Sequence, residues 1–206
     1  MDITLYTEPF HYLIIKNLWS EKERQEMFDE MLHLESKKLF LSPEDTGGAK
    51  DEEGNALKKN KAVWLDNVWL DRNYSSVLTH NRKIFDFMDE KSAQESWHFQ
   101  GLKFDNDSTL ISYYENSDYY APHRDHGLVS ALSYFFVEPK KFNGGELIFT
   151  DYDLRFKVTN NLTIVFPSNI KHEVSEISLD KKYQGKGLGR FCMSQFLDFI
   201  NYTRAQ

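Results

Sequence analysis

Residues 107–137 read DSTLISYYENSDYYAPHRDHGLVSALSYFFV, and this stretch decides the fold. Asp107 to Tyr114 is rich in β-branched and aromatic residues, and Leu128 to Val137 is apolar and aromatic, so both ends predict strands. The triplet His123-Arg124-Asp125 sits between them, at the end of a strand. Working outward to the C-terminus, similar short runs recur between turn signals at Asn143-Gly144-Gly145, Thr159-Asn160-Asn161, Pro167-Ser168-Asn169 and Gly185 to Gly189. No helix-length segment separates them, which argues against a parallel α/β sheet and for an antiparallel barrel or sandwich. Residues 97–200 are therefore expected to form a β-barrel core.

Working outward to the N-terminus, Phe10 to Ile15 predicts a strand. Ser20-Glu21-Lys22-Glu23 has the spacing of a capping box and predicts a helix to about residue 36. Ser42 to Lys61 combines Pro43, Gly47, Gly48 and Gly54 with Asp, Glu and Lys and offers little to bury, as a mobile loop or lid would. Val63 to Leu70 reads as extended. Ser75 to Glu90 reads as a second helix, with Val77, Ile84, Phe85 and Met88 on one side. The expectation is an α+β chain of one domain, 1–206, in which residues 1–96 support a double-stranded β-helix (a jelly-roll, cupin-like barrel) from outside.

With 206 residues, 40% of them hydrophobic and 15% aromatic, the chain can bury one sizeable core. A formal net charge of -7 disfavours a nucleic-acid partner. Cys192 is the single cysteine, so no intrachain disulfide can form, and the N-terminus has no basic segment followed by an apolar run. A cytoplasmic protein without a membrane span is expected.

Successive strand side chains alternate faces, so His123 and Asp125 would point the same way while Arg124 points elsewhere. With the remote His172, they offer two imidazoles and one carboxylate, a set that occupies one face of a metal octahedron in non-haem iron centres. His33-Leu34-Glu35 has the same composition but lies on a predicted helix, where residues two apart do not share a face. His123-Arg124-Asp125 also spells the kinase catalytic triplet, yet no Gly-rich loop or Asp-Phe-Gly accompanies it. Gly185-Lys186-Gly187-Leu188-Gly189 lacks the ending and following helix of a phosphate loop and reads as a hairpin.

These residues fall in an order that resembles the iron(II) and 2-oxoglutarate-dependent dioxygenases, specifically their prolyl 4-hydroxylase-like branch. The resemblance spans about residues 108–200. It rests on Tyr114 and Tyr120 ahead of Pro122-His123-Arg124-Asp125, Phe142 to Leu147 (FNGGEL), Val165-Phe166-Pro167 leading to His172-Glu173-Val174, and Gly189-Arg190 opening the last strand. It implies His123, Asp125 and His172 as iron ligands with a catalytic role, and Arg190 as the partner of the distal carboxylate of 2-oxoglutarate. It also implies Tyr113 as a co-substrate contact, with Tyr134 as a further candidate, whereas Tyr120 reads as packing.

The implied cofactors are Fe(2+), 2-oxoglutarate and O2, with ascorbate as a candidate accessory reductant. The implied reaction hydroxylates an unactivated C–H bond, releasing succinate and CO2. The implied substrate is a prolyl residue in a protein or peptide, or alternatively a free amino acid or other small molecule. Because Asp125 is present, halogenation is not expected. The connection from Ser178 to Gly187 is longer than in many such enzymes, and Asn116-Ser117-Asp118 stands where relatives often carry glycines. Readings outside this class remain open: a cupin-like oxygenase that binds substrate directly to iron, or a non-catalytic binding module on the same fold.

Overall fold

The computed structural model describes residues 1–88 and 91–199. Its strands are, in chain order, β1 (Asp2–Tyr6), β2 (Tyr12–Lys16), β3 (Lys58–Lys59), β4 (Lys61–Trp64), β5 (Asn106–Tyr114), β6 (Tyr119–His123), β7 (Val129–Phe135), β8 (Phe142–Gly144), β9 (Leu147–Phe149), β10 (Leu154–Phe156), β11 (Leu162–Pro167), β12 (His172–Val174), β13 (Ile177–Leu179) and β14 (Arg190–Asp198). They form a seven-stranded sheet in the order β1-β2-β11-β7-β14-β5-β4 and a five-stranded sheet in the order β10-β9-β12-β6-β3; β13 and β8 pair separately. All the strand pairs of the large sheet are antiparallel. The two facing sheets make the double-stranded β-helix expected from the sequence.

Alternation along the central strands builds two cores from one sheet. On β14, Phe191, Met193 and Leu197 face the helices, while Cys192 faces the small sheet. On β7, Val129, Ala131 and Phe135 face the helices, and Leu132 and Tyr134 face inward. Because both faces are covered, these strands read as continuous apolar runs rather than as alternating ones.

Helix α1 (Glu21–Ser36) supplies much of the outer layer. Its capping box is complete: Glu23 N–H donates to Ser20 Oγ at 3.3 Å, and Ser20 N–H donates to Glu23 Oε2 at 2.7 Å. Met27, Phe28, Met31 and Leu34 recur on its buried face, each worth about 1.5–3 kcal/mol when removed from water.

Three expectations for the N-terminal part need correction. Residues 1–96 do not support the sheet only from outside, because β1, β2 and β4 are members of the large sheet and β3 joins the small one. The stretch Val63 to Leu70 is extended only to Trp64 and then makes the single turn α2 (Leu65–Val68). Asp66 holds that turn by accepting from Thr109 N–H at 2.7 Å and from Arg72 at 2.8 Å. The helix expected over Ser75 to Glu90 is two helices, α3 (Ser76–His80) and α4 (Lys83–Met88), followed by the short α5 (Lys91–Gln94). It breaks at the buried Asn81, whose side chain donates to Thr109 Oγ1 at 2.8 Å and accepts from Arg72 at 3.1 Å. Satisfying those partners outweighs continuing the helix. Asp89 and Glu90, at the end of that expected helix, and Ile200, at the end of the expected core, lie outside the described residues. Among the described residues, no helix is long and apolar enough to cross a membrane.

Gly144 and Gly145 move the chain from the small ribbon to the five-stranded sheet, rather than joining two strands of one hairpin. Both have positive φ, 74° and 70°. A Cβ at Gly144 would lie 2.0 Å from the Glu176 carbonyl oxygen. Gly144→Ala therefore combines left-handed strain with a backbone clash and is expected to cost about 2–4 kcal/mol. At Gly185, φ is 69° and a Cβ meets nothing within 4 Å, so Gly185→Ala should cost only about 1–2 kcal/mol. Urea unfolding of the two variants checks the difference.

Candidate metal centre

β6 and β12 are antiparallel neighbours, and their register sets His123 directly opposite His172. Forty-nine residues of sequence separation thus become a cross-strand pair, with ring centroids 4.3 Å apart. The protein backbone chooses the tautomer of each ring. His123 Nδ1 donates to the Ala121 carbonyl and His172 Nδ1 donates to the Ile170 carbonyl, both at 2.9 Å. Each proton is thereby fixed on Nδ1, and each Nε2 keeps a free lone pair.

Asp125 supplies the third donor by a route other than strand alternation. β6 ends at His123, so Asp125 lies in the following turn. There its N–H donates to the Ser168 carbonyl at 2.9 Å, and its Oδ2 accepts from Ser130 Oγ at 2.7 Å. The carboxylate then lies 3.6 Å from His123 Nε2 and 3.5 Å from His172 Nε2. Arg124 turns away, donating to the Asn169 carbonyl.

The three donor atoms lie within 4.8 Å of one another, and this is the one such cluster found among the described residues. Its electrostatics suit a cation. Burial alone would raise the Asp125 pKa, but contact with His123, the nearby His172 and the Ser130 hydroxyl hold it below the ordinary carboxylate value. Burial also lowers the His172 pKa against the pull of Asp125, which favours a neutral ring. Phe166 packs edge-on against His172 at 4.9 Å, and Tyr120 stacks on His123 at 3.4 Å and 9°. The donors are thus a carboxylate and two imidazoles that present Nε2 in an aromatic surround, a set that fits a divalent transition metal with open positions.

Arg190 opens β14 on the inward face and is fully buried, at 0% exposure. One of its nitrogens donates to the Gly145 carbonyl at 2.5 Å. Nε and Nη2 have no partner. Its guanidinium lies 4.2 Å from the Tyr114 ring centroid and 5.3 Å from that of Tyr134, so aromatic faces carry part of its charge. A buried cation with unmatched donors fits a carboxylate brought in by a ligand.

The structure places Tyr113 away from this arrangement. Tyr113 and Tyr114 are adjacent on β5 and so face opposite ways. Tyr113 joins the helix-side core, donating to Glu115 at 2.9 Å and accepting from Gly189 N–H at 3.2 Å. Tyr114 faces inward beside Arg190 and replaces Tyr113 as the tyrosine near the cation. Tyr134 also faces inward, and burial raises its hydroxyl pKa well above the ordinary value.

A pocket of about 420 Å³ reaches Asp125. The inward faces of β5 and β14 contribute Leu110, Ser112, Tyr114 and Phe196 to its wall, and Thr46 to Lys50, Lys58 and Tyr120 cover it. The expectation of a charged loop with little to bury was incomplete here. Thr46, Lys58 and Asn60 are buried, at 3%, 5% and 4% exposure, while Lys59 and Lys61 are exposed. Burial alternates along Lys58, Lys59, Asn60 and Lys61, but the sequence there is uniformly polar and carries no matching alternation. The Asn60 amide approaches the Tyr114 hydroxyl but falls short of hydrogen-bond geometry, leaving both its polar atoms unpartnered.

Comparison with solved structures identifies the fold. A prolyl-4-hydroxylase from Pseudomonas putida is similar over 91% of this chain and 92% of its own, with a TM-score of 0.59 and 16% identity. The chain has the prolyl 4-hydroxylase fold. The viral collagen prolyl hydroxylase of Paramecium bursaria Chlorella virus-1, in its 2-oxoglutarate complex, is similar over 90% of this chain and 94% of its own, with a TM-score of 0.55 and 13% identity. The non-haem α-ketoglutarate-dependent epimerase SnoN of nogalamycin biosynthesis gives a TM-score of 0.56 at 10% identity, over 91% of this chain and 76% of its own. No family model and no curated protein sequence matches the chain.

Proposed function

We propose that this protein is an iron(II)- and 2-oxoglutarate-dependent oxygenase that hydroxylates an unactivated C–H bond, with a prolyl residue of a protein or peptide as substrate. One observation carries the reading: a His-Asp-His cluster with both histidines buried, and a buried arginine with two unpartnered nitrogens, face the interior of the same barrel. His123, Asp125 and His172 would hold the metal, and Arg190 would hold the far carboxylate of 2-oxoglutarate. When bound, the metal supplies the redox chemistry, coupling reduction of O2 and decarboxylation of 2-oxoglutarate to succinate and CO2 with insertion of one oxygen atom into the substrate.

The chain's own residues contribute order and dryness. The Ala121 and Ile170 carbonyls keep both Nε2 atoms aimed at one point, and Ser130 fixes the carboxylate rotamer. Phe166, Phe149 and Tyr120 surround the imidazoles and limit access of water. The prolyl choice is supported by the similarity to two prolyl hydroxylases of the same fold.

Anaerobic titration of the iron(II)-loaded protein with 2-oxoglutarate tests the cofactor pair. A visible metal-to-ligand charge-transfer band is expected, saturating at one equivalent per chain. Its absence in metal-loaded protein would favour a cupin of another class or a binding module. Incubation with proline-containing peptides should then release succinate and add the mass of one oxygen to the peptide.

A further inference from the structure

Lys58 is a buried cation on the pocket wall to which the oxygenase reading gives no task. It belongs to β3, the edge strand of the small sheet, which pairs with β6 through Lys58 and Tyr120. Its side chain turns inward beneath the segment Thr46 to Ala49 and lines the pocket that reaches Asp125. There its ammonium donates to Thr46 Oγ1 at 3.0 Å and lies 5.8 Å from the Tyr120 ring centroid. No carboxylate among the described residues forms an ion pair with it, although the more distant Glu44 contributes a favourable field. Burial pulls its pKa down to about 8.

The covering segment is fitted to this lysine. Gly48 has a φ of 140°, and a Cβ there would lie 3.0 Å from Lys58 Cε, 3.2 Å from Lys58 Nζ and 3.0 Å from the Tyr120 hydroxyl. Ala49 N–H donates to that hydroxyl at 3.0 Å, and Trp64 Nε1 donates to the Thr46 carbonyl at 3.0 Å. The cover is thus tied to both sheets. An unpaired ammonium on a pocket wall is unfavourable until an anion arrives, so it selects for ligands that bring one.

Resting on the oxygenase reading above, we infer that Lys58 is a specificity-determining residue whose ammonium binds a carboxylate carried by the substrate itself, separate from the 2-oxoglutarate carboxylate assigned to Arg190. The substrate class this selects is a compact carboxylic acid or a chain ending in one, such as a free imino acid or a peptide with a C-terminal proline. Internal prolines flanked by neutral residues would lack this contact.

The test uses zinc(II)- and 2-oxoglutarate-loaded full-length protein, in which the Arg190 site is filled, and follows the backbone amide resonances of Gly47, Gly48, Ala49 and Lys58. The probes are matched pairs: acetate and acetamide, L-proline and L-prolinamide, and acetylglycyl-L-proline and its amide. Each acid should shift these resonances saturably, and its amide should need at least about tenfold more ligand, as expected when a charge-assisted contact is lost. The preference should vanish in Lys58→Met and survive in Lys58→Arg. Tighter binding of L-proline than of the capped dipeptide would assign the carboxylate to a free imino acid, and the reverse order to a peptide terminus. Equal responses to acids and amides, no response to any acid, or a preference that persists in Lys58→Met would overturn the inference. The charge-transfer band of the iron(II) protein is read separately, so loss of the oxygenase reading is distinguishable from loss of this one.

Discussion

Asp125→Ala should lower iron(II) affinity by at least about 100-fold and eliminate 2-oxoglutarate turnover, while leaving the barrel folded. Loss of partners that merely orient a metal ligand costs about 10–100-fold in affinity, and Asp125 is placed here as a ligand, so the loss should exceed that range. It also supplies the negative charge that offsets a dication between two imidazoles. The fold should survive because the backbone bond from residue 125 to Ser168 does not need the side chain. Ser130 also retains a partner, since its hydroxyl is 2.9 Å from Ser168 Oγ. Ser130→Ala removes the bond that orients the carboxylate together with the one to Ser168 Oγ, and should weaken iron(II) by about tenfold. Anaerobic metal titration with circular dichroism of the same samples separates loss of the site from loss of the fold. Asp125→Ala that binds iron(II) as tightly as the parent would remove Asp125 from the ligand set.

Arg190→Ala has the second largest expected effect, and its two consequences run in opposite directions. Removing one partner of a buried, hydrogen-bonded charge pair costs about 2–5 kcal/mol, so the dissociation constant of 2-oxoglutarate should rise by roughly 30-fold or more. Without ligand, the same substitution removes a fully buried cation that has two unpartnered nitrogens. Unpaired buried charge is costly, so the ligand-free variant should lose less stability than a typical large-to-small core change, for which about 2–5 kcal/mol is usual. A ligand at 100 times its dissociation constant stabilises by about 2.7 kcal/mol. The parent should therefore melt higher with 2-oxoglutarate, and Arg190→Ala at the same ligand concentration should keep at most about a third of that stabilisation. Arg190→Lys keeps the charge but loses the planar fork, and should fall between them. If the variant retains the full 2-oxoglutarate-dependent melting shift, the carboxylate partner is another cation.

Much of the barrel half was legible because its local signals agree. β5 and β7 coincide with the β-branched and aromatic runs around the His123-Arg124-Asp125 triplet, and the glycine, proline and asparagine turns separate the later strands. The α1 boundary was legible for a similar reason, since Ser20 and Glu23 complete one another at three residues' spacing. The N-terminal half was less legible where tertiary partners outweighed local preference. Asn81 breaks an otherwise periodic helix to reach Thr109 and Arg72, and Asp66 makes a helical turn in a stretch that reads as extended. Lys58 and Asn60 were hidden because lysine and asparagine usually mark surface, and only the pairing of β3 with β6 turns them inward.

The amino-acid order specifies the chemical inventory and the kind of scaffold: two histidines, a carboxylate and an arginine at or just beyond the ends of strands in an antiparallel barrel. Strand periodicity and turn residues encode that much locally. Which of these groups meet is set by long-range packing. Cross-strand register set His123 against His172, the turn after β6 rather than strand alternation aimed Asp125, and the pleat of β5 put Tyr114 rather than Tyr113 beside Arg190. The physical reason is that a side chain's face depends on a strand's end point and its neighbours' register, and a shift of one residue reverses it. Local sequence does not fix either quantity; packing of the whole sheet does.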